Sequence, residues 1–172
     1  MRENMFIHRK LKSGVVFLLA ALLVGCGKDE IVQNAQTKGK FFEIFTKGNQ
    51  DYIEAVATGD VDKLMTFYSD NAVQISPGIP IIQGADNIRV VWETFFSDFE
   101  VLKATSGIDE VIVVGRRAFA RGHYTMTYQS IVDGTIYSES GRFAESSRRL
   151  EDGQWVMTTE ISNLGPPAEK EN

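Results

Sequence analysis

Residues 111–134, VIVVGRRAFARGHYTMTYQSIVDG, contain the pattern that decides the fold class. Two extended runs rich in β-branched and aromatic residues, Val101–Val114 and Ala118–Ile131, flank the turn Gly115-Arg116, and Asp133-Gly134 follows as a second turn. Such Asp-Gly pairs are strong hairpin signals because both residues tolerate positive φ. The stretch therefore predicts consecutive antiparallel strands.

The same pattern continues toward the C-terminus. Two further strands, Thr135–Leu150 and Gln154–Ser162, flank the hairpin signal Asp152-Gly153. The back half of the chain is thus predicted to be a meander of about four long strands.

The residues before this sheet favour helices. Apolar residues recur at spacings of three, four and seven, as an amphipathic helix requires. The predicted elements are a helix from Phe41 to Val56 that ends at Gly59, a short helix capped by Asp60, a strand at Asn71–Ser76, a Pro77-Gly78 turn, and a helix from about Asn87 to Phe99 capped by Asp86. The order predicts the α+β class: three N-terminal helices packed on a curved antiparallel sheet that encloses a pocket.

The N-terminus has the pattern of an export signal. Four basic residues precede an apolar run that ends at Cys26, the only cysteine of the chain. Leu23-Val24-Gly25-Cys26 resembles the lipobox of bacterial lipoproteins, which implies cleavage before Cys26 and lipidation of its thiol. The run is too short for a comfortable membrane span, which needs about 20 residues. The alternatives are a plain signal peptide or a transmembrane helix.

These patterns divide the chain into four parts. Residues 1–25 are expected to be a lipoprotein signal peptide, 26–38 a lipidated tether, 39–164 the folded domain and 165–172 a disordered tail. The protein is then expected in the cell envelope, anchored to a membrane through Cys26. Gly27, rather than Asp, after the cysteine indicates the periplasmic side of the outer membrane if the cell has two membranes.

Composition excludes several function classes. The formal net charge of −5 becomes about −8 once the leader, which carries a net +3, is removed. That acidity argues against nucleic-acid partners, which need basic patches. The mature chain would contain a single histidine, His123, and no thiol besides Cys26. We therefore expect no disulfide, no His/Cys metal site and no cofactor.

The residues from Phe41 to Leu164 resemble the nuclear transport factor 2-like superfamily, in its SnoaL-like and ketosteroid-isomerase-like branch. The segments that carry the resemblance are Tyr52-x6-Gly59-Asp60, Phe67–Val73, Pro77-Gly78, Gly84, Val114-Gly115, Ala120-Arg121-Gly122, Asp133-Gly134, Gly141-Arg142-Phe143 and Asp152-Gly153-Gln154-Trp155. The resemblance implies a cone-shaped α+β fold with a pocket under the sheet, and frequent homodimers. It does not settle function, because the branch includes isomerases, cyclases, dehydratases and proteins without known chemistry.

The resemblance also shows which positions of this sequence correspond to the catalytic residues of ketosteroid isomerases. Tyr52 falls where the oxyanion tyrosine of ketosteroid isomerases lies. The position of the catalytic base is Ser76, and a serine without an adjacent base cannot abstract a carbon-bound proton. The second acid corresponds to Glu145 or Ser146. If the protein is an enzyme, Tyr52 and Glu145 are the candidate catalytic residues.

The predicted pocket follows from strand alternation and the resemblance. Its expected residues are Tyr52, Ser76, Trp92, Phe96, Gly122, Tyr124, Met126, Tyr128, Phe143 and Glu145. His123 is expected on the opposite face, toward solvent or a dimer partner; a catalytic role for it would need the cavity face or a nearby Asp.

Three functions remain open on the sequence. The favoured one is binding of a small, partly apolar ligand without catalysis, since the base position is Ser76. The second is an isomerase, cyclase or dehydratase that uses Tyr52 and Glu145. The third is a dimeric scaffold that docks an envelope partner.

Overall fold

The computed structural model of the protein describes residues 35–165. The leader, Cys26 and residues 166–172 of the predicted tail lie outside the described residues. The helices are α1 (Ala35–Thr58), α2 (Val61–Met65) and α3 (Ala85–Asp98). The strands are β1 (Tyr68–Ile75), β2 (Ile82–Gln83), β3 (Phe99–Val114), β4 (Arg117–Ser130), β5 (Ile136–Arg149) and β6 (Trp155–Leu164). The predicted α+β class is confirmed.

All six strands form one sheet in the order β2-β1-β6-β5-β4-β3. Strands β3 to β6 are the predicted antiparallel meander, but β1 pairs with β6 in parallel, so the sheet is mixed rather than purely antiparallel. The meander leaves one edge of β6 without a partner. Because unpaired backbone groups at a buried edge are costly, β1 pairs at that edge, and the two-residue β2 extends the sheet beyond it.

The hairpin turns lie where the sequence predicts them. Gly134 and Gly153 have φ values of 71° and 96°, which only glycine adopts without strain. The preceding aspartates close the turns: Thr135 N donates to Asp133 Oδ1 at 3.0 Å, and Gln154 N donates to Asp152 Oδ1 at 2.9 Å. These local bonds hold the long strands in antiparallel pairs.

Two of the predicted helix boundaries need correction. Asp60 caps α2 as expected, accepting a 2.9 Å hydrogen bond from Lys63 N. Asp86 does not cap α3: the helix begins at Ala85 behind Gly84, and Asp86 lies in its first turn, where its charge favours the helix dipole. At its C-terminus α3 stops at Asp98, because Phe99 is already extended and starts β3.

Within residues 35–165 the buried apolar residues form three clusters, one of which lies between α1 and the concave face of the sheet. Phe45 of α1 packs with Val113, Ala118 and Ala120 of β3 and β4.

α1 begins at Ala35, before the domain start predicted at residue 39. Within residues 35–165, no helix combines the length and the apolar composition that a membrane span requires.

Candidate functional site

A cavity of about 500 Å³ opens between α1, α3 and the concave face of the sheet. Most of its wall is apolar and aromatic. Its aromatic residues are Phe45, Tyr52, Phe67, Trp92, Tyr124, Phe143 and Trp155. Such an apolar concavity with a few convergent polar groups is the usual form of a small-molecule site.

A chain of hydrogen bonds crosses the deep end of the cavity. Tyr68 donates its hydroxyl proton to Glu160 Oε2 at 2.7 Å, and the Tyr52 and Tyr68 hydroxyl oxygens are 2.8 Å apart. Gln74 Nε2 also donates to Glu160 Oε2, at 3.3 Å. Since the single proton of Tyr68 goes to Glu160, the proton between the tyrosines belongs to Tyr52. Together with Glu145, these residues are called the floor cluster: Tyr52, Tyr68, Gln74, Glu145 and Glu160.

Glu145 lies directly opposite Glu160 on the β5–β6 ladder, so the two side chains share the concave face. Burial raises the pKa of Glu145 to about 7, and the negative charge of Glu160 adds to the effect. Burial also raises the pKa of Glu160, but the bonds donated by Tyr68 and Gln74 oppose this rise. Glu145, whose hydrogen bond from Ser147 Oγ is long at 3.4 Å, therefore holds its proton more readily.

The two tyrosines of the floor cluster are neutral hydroxyls at physiological pH. Burial, followed by the charge of Glu160, raises the pKa of both Tyr52 and Tyr68 well above the ordinary value of 10.0. Neither tyrosine is a base, and Tyr52, which lines the cavity, can contact a polar atom of a ligand.

Two polar atoms at the cavity have no hydrogen-bond partner within residues 35–165. They are Gln74 Oε1 and Trp92 Nε1, and both side chains line the cavity. Gln74 is only 6% exposed, so an unsatisfied oxygen there costs free energy. Both atoms have less than 1 Å² of accessible surface, so a molecule in the cavity reaches them only after a local rearrangement of side chains.

A β-bulge decides which residues of β6 face the cavity. Near the turn, Ser147 pairs with Met157, whereas beyond the bulge Ser146 pairs with Thr159 and Glu145 with Glu160. Without the bulge, Glu145 would face Thr159 and Glu160 would point away. Thr158 is the extra residue, held by a 3.0 Å bond from its Oγ1 to the Ser146 carbonyl oxygen.

Most of the residues predicted for the pocket do line the cavity. They are Tyr52, Ser76, Trp92, Tyr124, Met126, Phe143 and Glu145. The ambiguity at the second acid is resolved in geometry, because Glu145 faces the cavity while Ser146 bonds Thr158 Oγ1 at 2.9 Å. Ser76 Oγ accepts a bond from Ser162 Oγ at 3.1 Å. The roles of these residues in binding or catalysis stay predictions.

Three residues predicted for the pocket lie elsewhere. Phe96 stacks on Trp92 at 5.6 Å and packs into the helical core. Tyr128 is too far along β4 and stacks on Tyr137 at 5.4 Å. Gly122 is buried beneath Phe143, where a Cβ atom would overlap the Phe143 ring and the backbone. Glycine is therefore required there for the close approach of strands, not for ligand contact.

His123 lies on the outer face of the sheet, as predicted. Its Nδ1 is 2.9 Å from Asp109 Oδ1, and Arg142 Nη1 donates to Asp109 Oδ2 at 3.1 Å. The nearby Asp is thus present, but the sheet separates the pair from the cavity. Within residues 35–165, no group of three or more His, Cys, Asp or Glu side chains is arranged to hold a metal ion.

Sequence reasoning missed Tyr68, Gln74 and Glu160. Tyr68 and Gln74 lie on β1, whose parallel pairing with β6 brings Gln74 opposite Glu160. Alternation from the Asp152-Gly153 turn places Glu160 on the wrong face, since the bulge is not visible in the sequence. The one available signal was an isolated glutamate in a strand of otherwise uncharged residues.

Solved structures share this fold at low sequence identity. A ketosteroid isomerase-like protein from Erwinia carotovora atroseptica has a TM-score of 0.67 at 20% identity, covering 73% of this chain and 97% of that one. A nuclear transport factor 2-like superfamily protein from Salmonella enterica serovar Typhimurium has a TM-score of 0.63 at 17% identity, covering 78% and 98%. A candidate dehydratase of the nuclear transport factor 2-like family from Streptomyces avermitilis has a TM-score of 0.60 at 16% identity, covering 75% and 99%. These likenesses establish the fold.

Comparison with curated protein sequences finds no match. The family model described as a SnoaL-like domain matches residues 49–158, which include α2, α3 and five complete strands as well as the whole floor cluster except Glu160. The chain belongs to the SnoaL-like domain family, within the nuclear transport factor 2-like fold.

Proposed function

We propose that the domain binds a small, largely apolar molecule and holds one polar group of it against the floor cluster. The observation that carries this proposal is the cavity of about 500 Å³, whose size is typical of ligand sites. Its aromatic walls suit an apolar body. The hydroxyl group of Tyr52 and the carboxyl groups of Glu145 and Glu160, which line the cavity, suit a polar group on that body.

The protein is further proposed to work outside the cytoplasm, lipidated at Cys26 and anchored to a membrane. The support is the basic segment, the apolar run and the Leu23-Val24-Gly25-Cys26 sequence. An anchored binding domain would retain its ligand at the membrane surface. Two or more acyl chains give stable anchoring, whereas a single chain is marginal.

A homodimer through the outer face of the sheet is also proposed. Ile112 and Phe119 are paired across β3 and β4, and Ile161 lies across the same face on β6. These side chains are 45%, 40% and 46% exposed, respectively. Exposed apolar residues on one face of a sheet favour burial against a partner.

Native mass spectrometry tests the binding proposal. The full chain is purified gently from its native host, and its mass is measured under native and under denaturing conditions. Because lipid on Cys26 stays attached in both, a mass present only in the native spectrum is a bound molecule. We expect an excess of a few hundred daltons per chain. An equal mass in both spectra, together with no binding by any small molecule in a fluorescence screen, would refute the proposal.

The two tryptophans of the chain provide that fluorescence assay. Trp92 and Trp155 both line the cavity, and the sequence contains no others. A ligand in the cavity contacts one or both indoles and changes their emission. The signal therefore reports on the cavity rather than on distant surfaces.

Acid–base catalysis in the same cavity is the second candidate. It is favoured by Glu145, a buried carboxyl with a pKa of about 7 that is suited to proton transfer near neutrality. Among the structural relatives is a candidate dehydratase. The test is incubation of the ligand found by mass spectrometry with the protein in heavy water. Deuterium incorporation that is lost in Glu145→Gln and kept in Glu151→Gln, an exposed turn variant, would support catalysis. If the unmodified protein incorporates no deuterium, binding without catalysis remains as the proposed function.

A further inference from the structure

The charged residues of the cavity all have one sign. Glu139, Glu145 and Glu160 line it, and no Lys, Arg or His stands among its described lining residues. Arg142 and His123 are on the outer face, engaged with Asp109. An anionic ligand would therefore meet carboxylates without any compensating cation, which is strongly unfavourable in a buried apolar site.

The hydrogen-bonding groups of the floor cluster are mostly acceptors. Tyr68 gives its proton to Glu160, and Tyr52 gives its proton to Tyr68. Tyr52 therefore offers only lone pairs to the cavity. Gln74 Nε2 is used on Glu160, and Gln74 Oε1 has less than 1 Å² of accessible surface, so Gln74 offers no group to the ligand. Above about pH 7, where Glu145 is charged, a ligand group with several N–H donors fits this arrangement, and a carbonyl or carboxylate does not.

The indole N–H of Trp92 is a donor near the cavity and would by itself favour a ligand acceptor. Trp92 Nε1 has no partner within the described residues. The Nε1 atom has less than 1 Å² of accessible surface, so it does not offer its proton to a ligand in the cavity. A single N–H donor does not offset the preference of three carboxylates for a positively charged ligand.

The walls add a further attraction for positive charge. Trp155 and Phe45 pack against each other at 5.4 Å on one side of the cavity, and Tyr124 and Phe143 line the sheet side. Aromatic faces attract organic cations through their quadrupoles, most strongly when water is excluded. Acidic floor and aromatic walls together select for a cation with an apolar body.

We propose that the ligand of this cavity is an organic amine in its protonated form, with the ammonium group on the floor cluster and the apolar body between the aromatic walls. The inference rests on the proposed binding function and specifies its ligand class.

Amine binding should release the proton of Glu145, so the affinity for the amine should depend on pH. Glu145 is faced by Glu160 from β6 and by Tyr52 from α1, and Tyr68 and Gln74 of β1 lie beyond them. Burial, together with the charge of Glu160, raises the pKa of Glu145 to about 7. A cation favours the charged carboxylate, so amine binding expels this proton. Affinity should therefore rise by up to about tenfold per pH unit below pH 7 and level off above it.

Three probes of one shape test the charge preference. Adamantylamine, adamantanol and adamantane carboxylate are titrated into the full chain and followed by tryptophan fluorescence at about pH 8. We expect the amine to bind on the order of tenfold more tightly than the alcohol, and the carboxylate not to bind. Only the amine should show affinity that rises with pH.

Variants identify where the charge acts. Glu145→Gln should lower amine affinity more than alcohol affinity, and Glu151→Gln, an exposed turn residue of the same type, should change neither. Alcohol or carboxylate binding as tight as that of the amine would overturn the ligand class but leave the cavity-binding proposal intact. Failure of all three probes to bind, in protein with normal thermal unfolding, would overturn the ligand class as well, and the native mass spectrum decides the binding proposal separately.

Discussion

Replacing Glu145 by Gln should make the ligand-free protein more stable near pH 8 and remove much of the pH dependence of its stability. In the fold the pKa of this carboxyl is about 7, against an ordinary glutamate value of 4.5. The folded protein thus keeps the Glu145 proton to a higher pH than the unfolded chain does. The contribution of the Glu145 carboxyl to folding stability is fully present below the ordinary glutamate pKa and is lost as the pH rises through about 7.

The magnitude follows from the same two values. Each pKa unit corresponds to about 1.4 kcal/mol, so the difference between the folded and unfolded carboxyl amounts to about 3 kcal/mol between pH 4 and pH 8. Glutamine has nearly the same shape and no charge, so Glu145→Gln should recover a comparable free energy at pH 8. Burial raises the pKa of Glu160 and of Glu139 in the same direction, and the variant keeps those contributions.

Urea unfolding of the full chain measures this effect. Free energies of unfolding are determined at about pH 5, 6, 7 and 8 for the unmodified protein, for Glu145→Gln and for Glu151→Gln as the exposed control. The curves of the first two should lie closest at about pH 5, separate progressively between pH 5 and 7 and run parallel above pH 7, whereas the control should follow the unmodified protein. Parallel curves for the unmodified protein and Glu145→Gln between about pH 5 and 7 would refute the buried-carboxyl argument.

Four further predictions address the floor, the sheet, the anchor and the dimer. Tyr68→Phe removes a hydroxyl that bonds Glu160 at 2.7 Å and should cost about 1–3 kcal/mol of unfolding free energy at pH 7, measured in urea. Gly122→Ala forces a Cβ atom into backbone and ring and should cost about 1–3 kcal/mol in the same assay. Cys26→Ser should release the protein from membranes into the soluble fraction and stop incorporation of labelled fatty acid. Phe119→Glu should convert the proposed dimer into a monomer in light scattering without lowering the thermal unfolding temperature of the cavity domain.

Matched controls separate these effects from general damage. Tyr137→Phe, on an exposed tyrosine, and Gly39→Ala, on a helical glycine with open space around it, should leave stability unchanged or raise it slightly. Ser162→Ala should leave the oligomeric state and membrane fraction unchanged. Loss of stability in Gly39→Ala as large as in Gly122→Ala would contradict the close-packing argument.

The sequence predicted those parts of the structure that depend on neighbouring residues. Glycine at Gly134 and Gly153 relieves the steric penalty of positive φ, and the preceding aspartates bond the turn backbone. Both hairpins could therefore be located without the fold. The cap at Asp60 is equally local, because its acceptor lies three residues from the donor.

Part of the site was also predictable. The spacing to Gly59 singled out Tyr52, and strand alternation singled out Tyr124 and Met126, all of which line the cavity. Alternation is reliable where a ladder is regular, because successive side chains point to opposite faces. It failed for Tyr128, since β4 extends beyond the cavity and its far end packs against Phe99 and Tyr137.

Only the tertiary structure decided which acids meet. The bulge at Thr158 reverses the facing of the rest of β6 and turns Glu160 toward Glu145, and the parallel pairing of β1 places Tyr68 and Gln74 beside it. Both depend on contacts between residues far apart in the chain. The sequence by itself determined the turns, the helical periodicity and the family, because these arise from short-range sterics and spacing. The raised pKa of Glu145 arises from burial and from Glu160, and both exist only once the sheet has formed.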